Sequence, residues 1–312
     1  MKVLSGTANP DLAQAICSHL GIGLSDAMIE RFPDGELNVK VQDDVRGADL
    51  FIVQPTCYPQ NDTLMELLML IDSVVRASAG RVTAVMPYYG YARKDRKDEG
   101  RVPITAKLVA NMLVTAGADR VLAMDLHAPQ IQGFFDIPVD HLFARPVLLR
   151  RLREMDLDNL VCASPDIGSM KMAIGYAQAL GTGVASCHKQ RVSGAEVKMT
   201  AVVGEVSGRN VLIVDDLIAS GSSLAMAAEY LRDAGARDIY ACATHPVLCG
   251  DAYPLLVNAP IKKIIVTDTI PLPDDGVPEK FEVVSVAAFF AEAIKRIHMN
   301  MSVSYLFREA ES

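Results

Sequence analysis

The chain has 312 residues, half of them apolar, with a formal net charge of −8 and six cysteines. This length accommodates two domains at the usual ~100–200 residues each. The acidity excludes nucleic acid as the main partner, because phosphate backbones require a basic face, so local groups must hold any anionic substrate.

No apolar run approaches the ~18 residues of a membrane span. The opening stretch "MKVLSGTANPDLA" lacks the apolar region of a signal peptide. Cys17, Cys57, Cys162, Cys187, Cys242 and Cys249 form no CxxC pair and read as buried thiols of a reducing compartment. These features predict a cytoplasmic protein with no membrane partner.

In chain order, "FPDGELNV" from Phe32 reads as a Pro-Asp-Gly turn followed by an alternating strand. Leu50–Gln54 is an apolar strand. In the helix after it, Thr63 and Glu66 form a capping box, Leu64, Leu67, Leu68, Ile71, Val74 and Val75 supply the stripe, and Gly80 is the stop. A strand at Arg81–Met86 precedes "YARKDRKDEGR", where Arg93, Lys94, Arg96, Lys97 and Arg101 crowd together. That segment is either a solvated loop or a cationic clamp for triphosphate oxygens. Val121–Asp125 is a strand with His127 two residues beyond it, and a new helix begins near Phe143–Arg145. Leu160–Ala163 leads to Asp166, which either caps the following helix or serves a ligand there. "VASCHKQR" is strand-like, and Val192–Lys198 after it reads as a mobile loop or an exposed hairpin. Strands at Val211–Val214, Ile239–Thr244 and Ile264–Thr267 complete the pattern, with a helix over about 224–234.

Near-continuous apolar strands alternating with helices predict an α/β fold with mostly parallel sheets flanked by helices. "TAGADRVLAMDLHAP" resembles "DAGARDIYACATHPV", with Gly117 to Gly235 and His127 to His245 each 118 residues apart. The repeat is either a common helix–strand junction or the trace of two similar domains, placed at 1–143 and 144–312.

The chemistry concentrates in "VLIVDDLIASGSSLAMAAEY", Val211–Tyr230. Asp215 and Asp216 end an apolar strand, the end where open α/β sheets bind ligands. Ala219, Ser220, Gly221, Ser222 and Ser223 then lead into a helix whose N-terminus favours phosphate. The carboxylates suit hydroxyls, so a pentose 5-phosphate would satisfy both ends. The plainer reading is a strand cap and an ordinary turn.

The stretch resembles the 5-phosphoribosyl-diphosphate motif of the phosphoribosyltransferase fold. Further segments narrow the resemblance to the ribose-phosphate pyrophosphokinase family: "RFPDGE", "PYYGYARKDRK", "DLHAPQIQGFFDIPVDHL", "SPDIGSMKMA", "HKQR", "THPVL" and "SVSYLF". They span the whole chain in order. The resemblance implies two phosphoribosyltransferase-like domains that pass diphosphate from ATP to C1 of ribose 5-phosphate. It implies ATP binding by Phe32, Asp34, Gly35, Glu36, Arg93, Lys94 and Arg101, with Phe32 stacked on adenine. Lys189 becomes the main catalytic cation. Arg191 joins Asp215, Asp216 and the loop Ala219–Ser223 in binding ribose 5-phosphate. His127 and Asp166 become the Mg²⁺ residues. The family's adenine turn completes a neighbouring subunit's site, which implies a homo-oligomer, a hexamer built from dimers.

The chain departs from the family pattern at Lys94 for Gln, Gln190 for Arg, Ala219 for Asp and Ser222 for Gly. Asp44, two residues before Arg46, stands where the family's allosteric phosphate site has Ser, and a carboxylate there opposes anion binding. Ser302, Ser304 and Phe307 match the family's tail. Two other classes share part of the pattern. A base phosphoribosyltransferase has the strand–acid–loop motif but one such domain and no adenine turn. A regulatory, synthetase-like subunit would account for the departures but not for the intact His127, Asp166, Lys189, Arg191, Asp215 and Asp216.

Overall fold

The computed structural model describes residues 1–193, 196–273 and 276–308, of which 188–193, 196–201 and 307–308 are described by their backbone alone. Two compact units divide the chain. One comprises Met1–Phe143, Thr269–Pro271 and Val286–Arg308, and the other Ala144–Asp268 and Leu272–Ser285.

The first unit opens with β1 (Lys2–Ser5) and α1 (Pro10–Leu20). Asn9 caps α1 by accepting from Leu12 N at 3.2 Å, Pro10 starts it, and left-handed Gly21 ends it. A hairpin of β2 (Ala27–Arg31) and β3 (Leu37–Val41) precedes β4 (Asp49–Val53), α2 (Gln60–Arg76), β5 (Arg81–Met86), α3 (Thr105–Ala116), β6 (Arg120–Met124) and β7 (Val139–Leu142). The sheet is wholly parallel, in the order β1-β4-β5-β6-β7. Leu67, Leu70, Ile71 and Val74 of α2 are fully buried against it. Each such side chain contributes ~1.5–3 kcal/mol of hydrophobic stabilisation.

The capping box expected for α2 does not form. The helix starts at Gln60, Thr63 Oγ1 donates to Cys57 O at 2.8 Å, and Glu66 is buried elsewhere. The expected stop at Gly80 also moves, since the helix ends at Arg76 and the chain turns through left-handed Ser78. Gly80 is required for another reason: a Cβ there would lie 2.8 Å from the Gly47 carbonyl.

The second unit contains α4 (Arg145–Glu154), β8 (Leu160–Ser164), α5 (Met170–Leu180), β9 (Gly183–Ser193), β10 (Glu196–Val203), β11 (Asn210–Ile218), α6 (Ser222–Asp233), β12 (Ile239–Pro246), α7 (Ala252–Asn258), β13 (Lys263–Thr267) and β14 (Phe281–Val284). Its sheet runs β10-β9-β8-β11-β12-β13-β14, parallel except for the antiparallel β9–β10 pair. The last long helix, α8 (Ala287–His298), belongs to the first unit.

Both units follow one plan: strand, helix, hairpin, then strands alternating with helices. The 118-residue repeat does not follow it. It pairs β6 with β12, yet β6 corresponds by sheet position to β13 and β12 to β5. The likeness is therefore a helix–strand junction, produced by left-handed glycines at 117 and 235 just before strands.

Among the described residues, no helix is long and apolar enough to cross a membrane. Five cysteines are buried as expected, and Cys249 is exposed.

Candidate active site

In the second unit, β8 leads through α5 to β9 on one side of the sheet, and β11 leads through α6 to β12 on the other. The C-terminal ends of β8 and β11 therefore flank a topological switch point, the usual ligand crevice of such sheets. Pairing between β8 and β11 stops at Ala163 and Ile213, while β11 continues along β12 to Ile218. Asp215 and Asp216 thus lie inside β11, not at its end as the apolar run suggested. β12 carries the extension: Asp215 registers with Ala243 and Leu217 with His245.

Asp215 Oδ1 accepts from Ser169 Oγ at 2.5 Å and from Asp216 N at 3.0 Å. Burial first, and then the Asp216 charge, push the Asp215 carboxyl up to about 7. The Ser169 hydroxyl opposes the rise, while Asp166 adds to it. Asp166, half-buried in the loop after β8, accepts from Gly168 N at 2.9 Å and Ser169 N at 3.3 Å. It closes the turn that leads into α5.

Beyond β11, Gly221 is left-handed at φ 75° and precedes α6, whose N-terminus no side chain caps. A Cβ on Gly221 would sit 2.9 Å from Leu256, so this glycine is doubly required. Ser222 is the first residue of α6 and not left-handed, so its Cβ carries no backbone penalty. Ser220 Oγ and Ser222 Oγ lie 2.9 Å apart, both exposed. The loop after β12 supports this one, with Leu248 N donating to Ile218 O at 2.9 Å and Cys249 N to Ala219 O at 3.1 Å. Two carboxylates, small exposed hydroxyls and an uncapped helix N-terminus succeed one another within nine residues of chain, Asp215 to Ser223. Such a set can grip a polyol at one end and a phosphate at the other.

Lys189 and Arg191 fall on β9, registered with Met199 and Val197 of β10. The stretch expected as a mobile loop is largely this hairpin, with residues 194 and 195 outside the described ones. The side chains of Lys189, Gln190, Arg191 and Phe307 are likewise outside them.

The equivalent crevice of the first unit, between β1 and β4, is filled. Glu66 Oε1 accepts from Thr7 N at 2.5 Å and Gln54 Nε2 at 2.8 Å, and Glu66 Oε2 accepts from Thr7 Oγ1 at 2.7 Å. Gln54 and Glu66 are both buried. A Cβ on Gly6 would lie 2.2 Å from Gln54 Oε1, so no space remains there.

The other candidates of this unit are on loops. Phe32 is half-exposed at the tip of the β2–β3 hairpin. Gly35 N donates to Phe32 O at 2.8 Å and Glu36 N to Asp34 Oδ1 at 3.1 Å, a turn closed through left-handed Gly35. Arg31 braces it with bonds to Gly35 O at 3.0 Å and Asp62 at 2.9 Å. Arg93, Lys94 and Arg101 are exposed, with Lys94 paired to Asp98 at 3.4 Å. Asp44 Oδ1 accepts from Arg46 N at 3.0 Å, closing a local turn.

His127 is exposed, three residues past the last residue of β6. Its loop is anchored by buried His141, whose Nε2 accepts from Leu126 N at 2.9 Å. Asp125 turns through φ 39°. The sequence reading missed His141 and Ser169. A single histidine or serine near a strand end carries no local signal of its distant partner.

An open sheet with acids at its switch point and a phosphate-ready helix start defines an α/β protein of the phosphoribosyltransferase-like class. Residues 1–117 match the N-terminal domain of ribose phosphate pyrophosphokinase, and 192–308 match the phosphoribosyl synthetase-associated domain. Ribose-phosphate pyrophosphokinase of Rhodopirellula baltica is 52% identical over 312 residues, covering 99% of each chain. That of Caldanaerobacter subterraneus is 50% identical over 98% of each. The crystal structure of phosphoribosylpyrophosphate synthetase from Mycobacterium smegmatis superposes with a TM-score of 0.91 at 39% identity, covering 96% of this chain and 99% of that one. The chain belongs to the ribose-phosphate pyrophosphokinase family.

Proposed function

We propose that the chain transfers the diphosphate of ATP to ribose 5-phosphate, giving 5-phosphoribosyl 1-diphosphate and AMP. The C1 hydroxyl oxygen attacks the β-phosphorus and loses its proton, and the bond from that phosphorus to the oxygen it shares with the α-phosphorus breaks. Family membership over the whole chain supports the reaction. The observation that carries the site is the run from Asp215 through left-handed Gly221 to the uncapped start of α6.

In this reading Asp215 and Asp216 take the ribose hydroxyls, and Ala219, Ser220, Gly221, Ser222 and Ser223 the 5-phosphate. Phe32, Asp34, Gly35 and Glu36 hold adenosine, and Arg93, Lys94 and Arg101 the triphosphate. The exposed Phe32 suits stacking on a base. Lys189 and Arg191 stabilise the charge that spreads over the transferring group. A positioned donor of this kind is worth ~3–4 kcal/mol of barrier.

Mg²⁺ fits the second unit's donors. Among the described residues no three His, Cys, Asp or Glu side chains form a metal cage. A hard cation that keeps its waters needs only one or two carboxylates plus substrate phosphates. Asp215 is raised by two further carboxylates, an excess of negative charge that a dication relieves. Asp166 is the residue of this unit proposed to hold it, and when bound it neutralises phosphate charge; His127, the other residue that the resemblance assigns to Mg²⁺, belongs to the first unit.

We place the enzyme in the cytoplasm as a homo-oligomer, a hexamer built from dimers in which the exposed hairpin turn completes a neighbour's ATP site. The test is purified protein with MgATP and ribose 5-phosphate, following AMP and phosphoribosyl diphosphate. Formation of both in equal amounts is expected. Turnover of phosphoribosyl diphosphate only with a base, or no reaction, overturns the proposal.

A further inference from the structure

Ser169 occupies the N-cap position of α5, where a serine ordinarily bonds the first turn of its own helix. It makes no such bond. Asp166 supplies the local closure instead, accepting from the backbone N–H groups of Gly168 and Ser169. The Ser169 hydroxyl is thereby released from capping and reaches Asp215 Oδ1 at 2.5 Å, 46 residues along the chain. The same oxygen accepts from Asp216 N at 3.0 Å. Two donors from different elements on one carboxylate oxygen fix both the position and the plane of the group.

We propose that Ser169 is a positioning residue: it orients the Asp215 carboxylate toward the sugar hydroxyls and ties Asp166 and Asp215 into one unit. This rests on the assignment of Asp215 to the ribose. A serine that forgoes its own helix cap loses local stability, typically ~1 kcal/mol at such sites. The gain lies across the switch point, at the carboxylate that must meet a diol in a fixed orientation. A carboxylate free to rotate would bind the sugar less tightly without changing how ATP is bound. The effect of Ser169 therefore belongs in the Michaelis constant for ribose 5-phosphate and not in that for ATP.

The experiment compares Ser169→Ala, Ser169→Thr and Asp215→Asn in the full chain by steady-state kinetics and by calorimetric binding of ribose 5-phosphate alone. Melting curves confirm folding. Ser169→Ala is expected to weaken ribose 5-phosphate about tenfold in both measurements, with the ATP Michaelis constant unchanged within twofold. Ser169→Thr, which keeps the hydroxyl, is expected to restore most of the loss. Wild-type ribose binding in Ser169→Ala, equal weakening of both substrates, or a threonine variant as impaired as the alanine one overturns the role of Ser169. If Asp215→Asn itself binds ribose 5-phosphate normally, the ribose assignment fails and the role of Ser169 with it. An impaired Asp215→Asn beside an unaffected Ser169→Ala removes Ser169 alone.

Discussion

His298 Nδ1 lies 2.7 Å from Asp49 Oδ2, joining the end of α8 to the start of β4 across 249 residues of chain. Arg81 completes the knot, bonding Asp49 through Nε at 2.7 Å and Nη2 at 2.6 Å, and reaching Ile297 O at 3.1 Å. The chain's last long helix is thus pinned to the first sheet by one carboxylate, only 15% exposed.

Removing that carboxylate leaves Arg81 without its partner. Asp49→Ala is expected to cost about 2 kcal/mol, within the range for breaking a hydrogen-bonded, partly buried ion pair. Burial would raise the Asp49 pKa, but the bonds from Arg81 and His298 prevail and hold it below 3.8. A depressed carboxylate stabilises the fold above its unfolded value, and that contribution fades as pH falls through about 4 and below. Urea denaturation at pH 7 and pH 3 should show the wild-type advantage shrinking; an equal advantage at both contradicts the account.

Gly6 faces the filled crevice of the first unit, where a Cβ would overlap Gln54 and Glu66 at 2.2 and 2.6 Å. Both neighbours are buried and hydrogen-bonded, so neither can retreat cheaply. Gly6→Ala is expected to destabilise by ~3 kcal/mol, the scale of overpacking combined with a broken buried polar network. A melting temperature within a degree of wild type would show that the network yields.

Asp215 carries the opposite sign from Asp49. Its folded pKa, raised to about 7 from 3.8, means that the ionised form is disfavoured in the folded state. The folded chain holds this proton longer, so stability falls as pH rises from about 4 to 7. Asp215→Asn removes that penalty while keeping an acceptor for Ser169. The ligand-free variant is expected to be ~1–2 kcal/mol more stable than wild type at pH 8 and equal to it near pH 4, less than the full linkage value because the site relaxes. Ribose 5-phosphate binding should be lost in the same variant.

Gly221→Ala combines a left-handed backbone with contact against Leu256. The expected cost is ~1–3 kcal/mol, with a rise of at least ~10-fold in the Michaelis constant for ribose 5-phosphate, ~1.4 kcal/mol of binding. Kinetics unchanged beside a lowered melting temperature would confine this glycine to a structural role.

Lys189→Ala should leave folding intact, since at this position β9 is paired with β10 and lies past Ser186, its last residue registered with β8. Turnover is expected to drop at least ~100-fold, the scale of losing one positioned charge donor. Near-normal turnover would remove Lys189 from the mechanism.

Much of the architecture was legible in the sequence. Apolar strands such as 81–86 and 211–214 are continuous because helices cover both faces, and that pattern survives in any single chain. The acids, the small-residue loop and the helix after it were also readable, because their chemistry is local to nine residues. The repeat misled, since a glycine before a strand recurs wherever a helix hands over to a sheet.

What the tertiary structure decided were the partnerships of groups distant in sequence. Glu66, read as a capping residue, turned inward because Thr7 and Gln54 offered three donors in a buried crevice. Ser169, which carries no local signal in the sequence, went to Asp215 because β8 and β11 lie side by side. Local pattern specifies strands, helices and turns because their forces act between near neighbours. Which polar group meets which across a sheet depends on strand order, and no stretch of sequence states that order by itself.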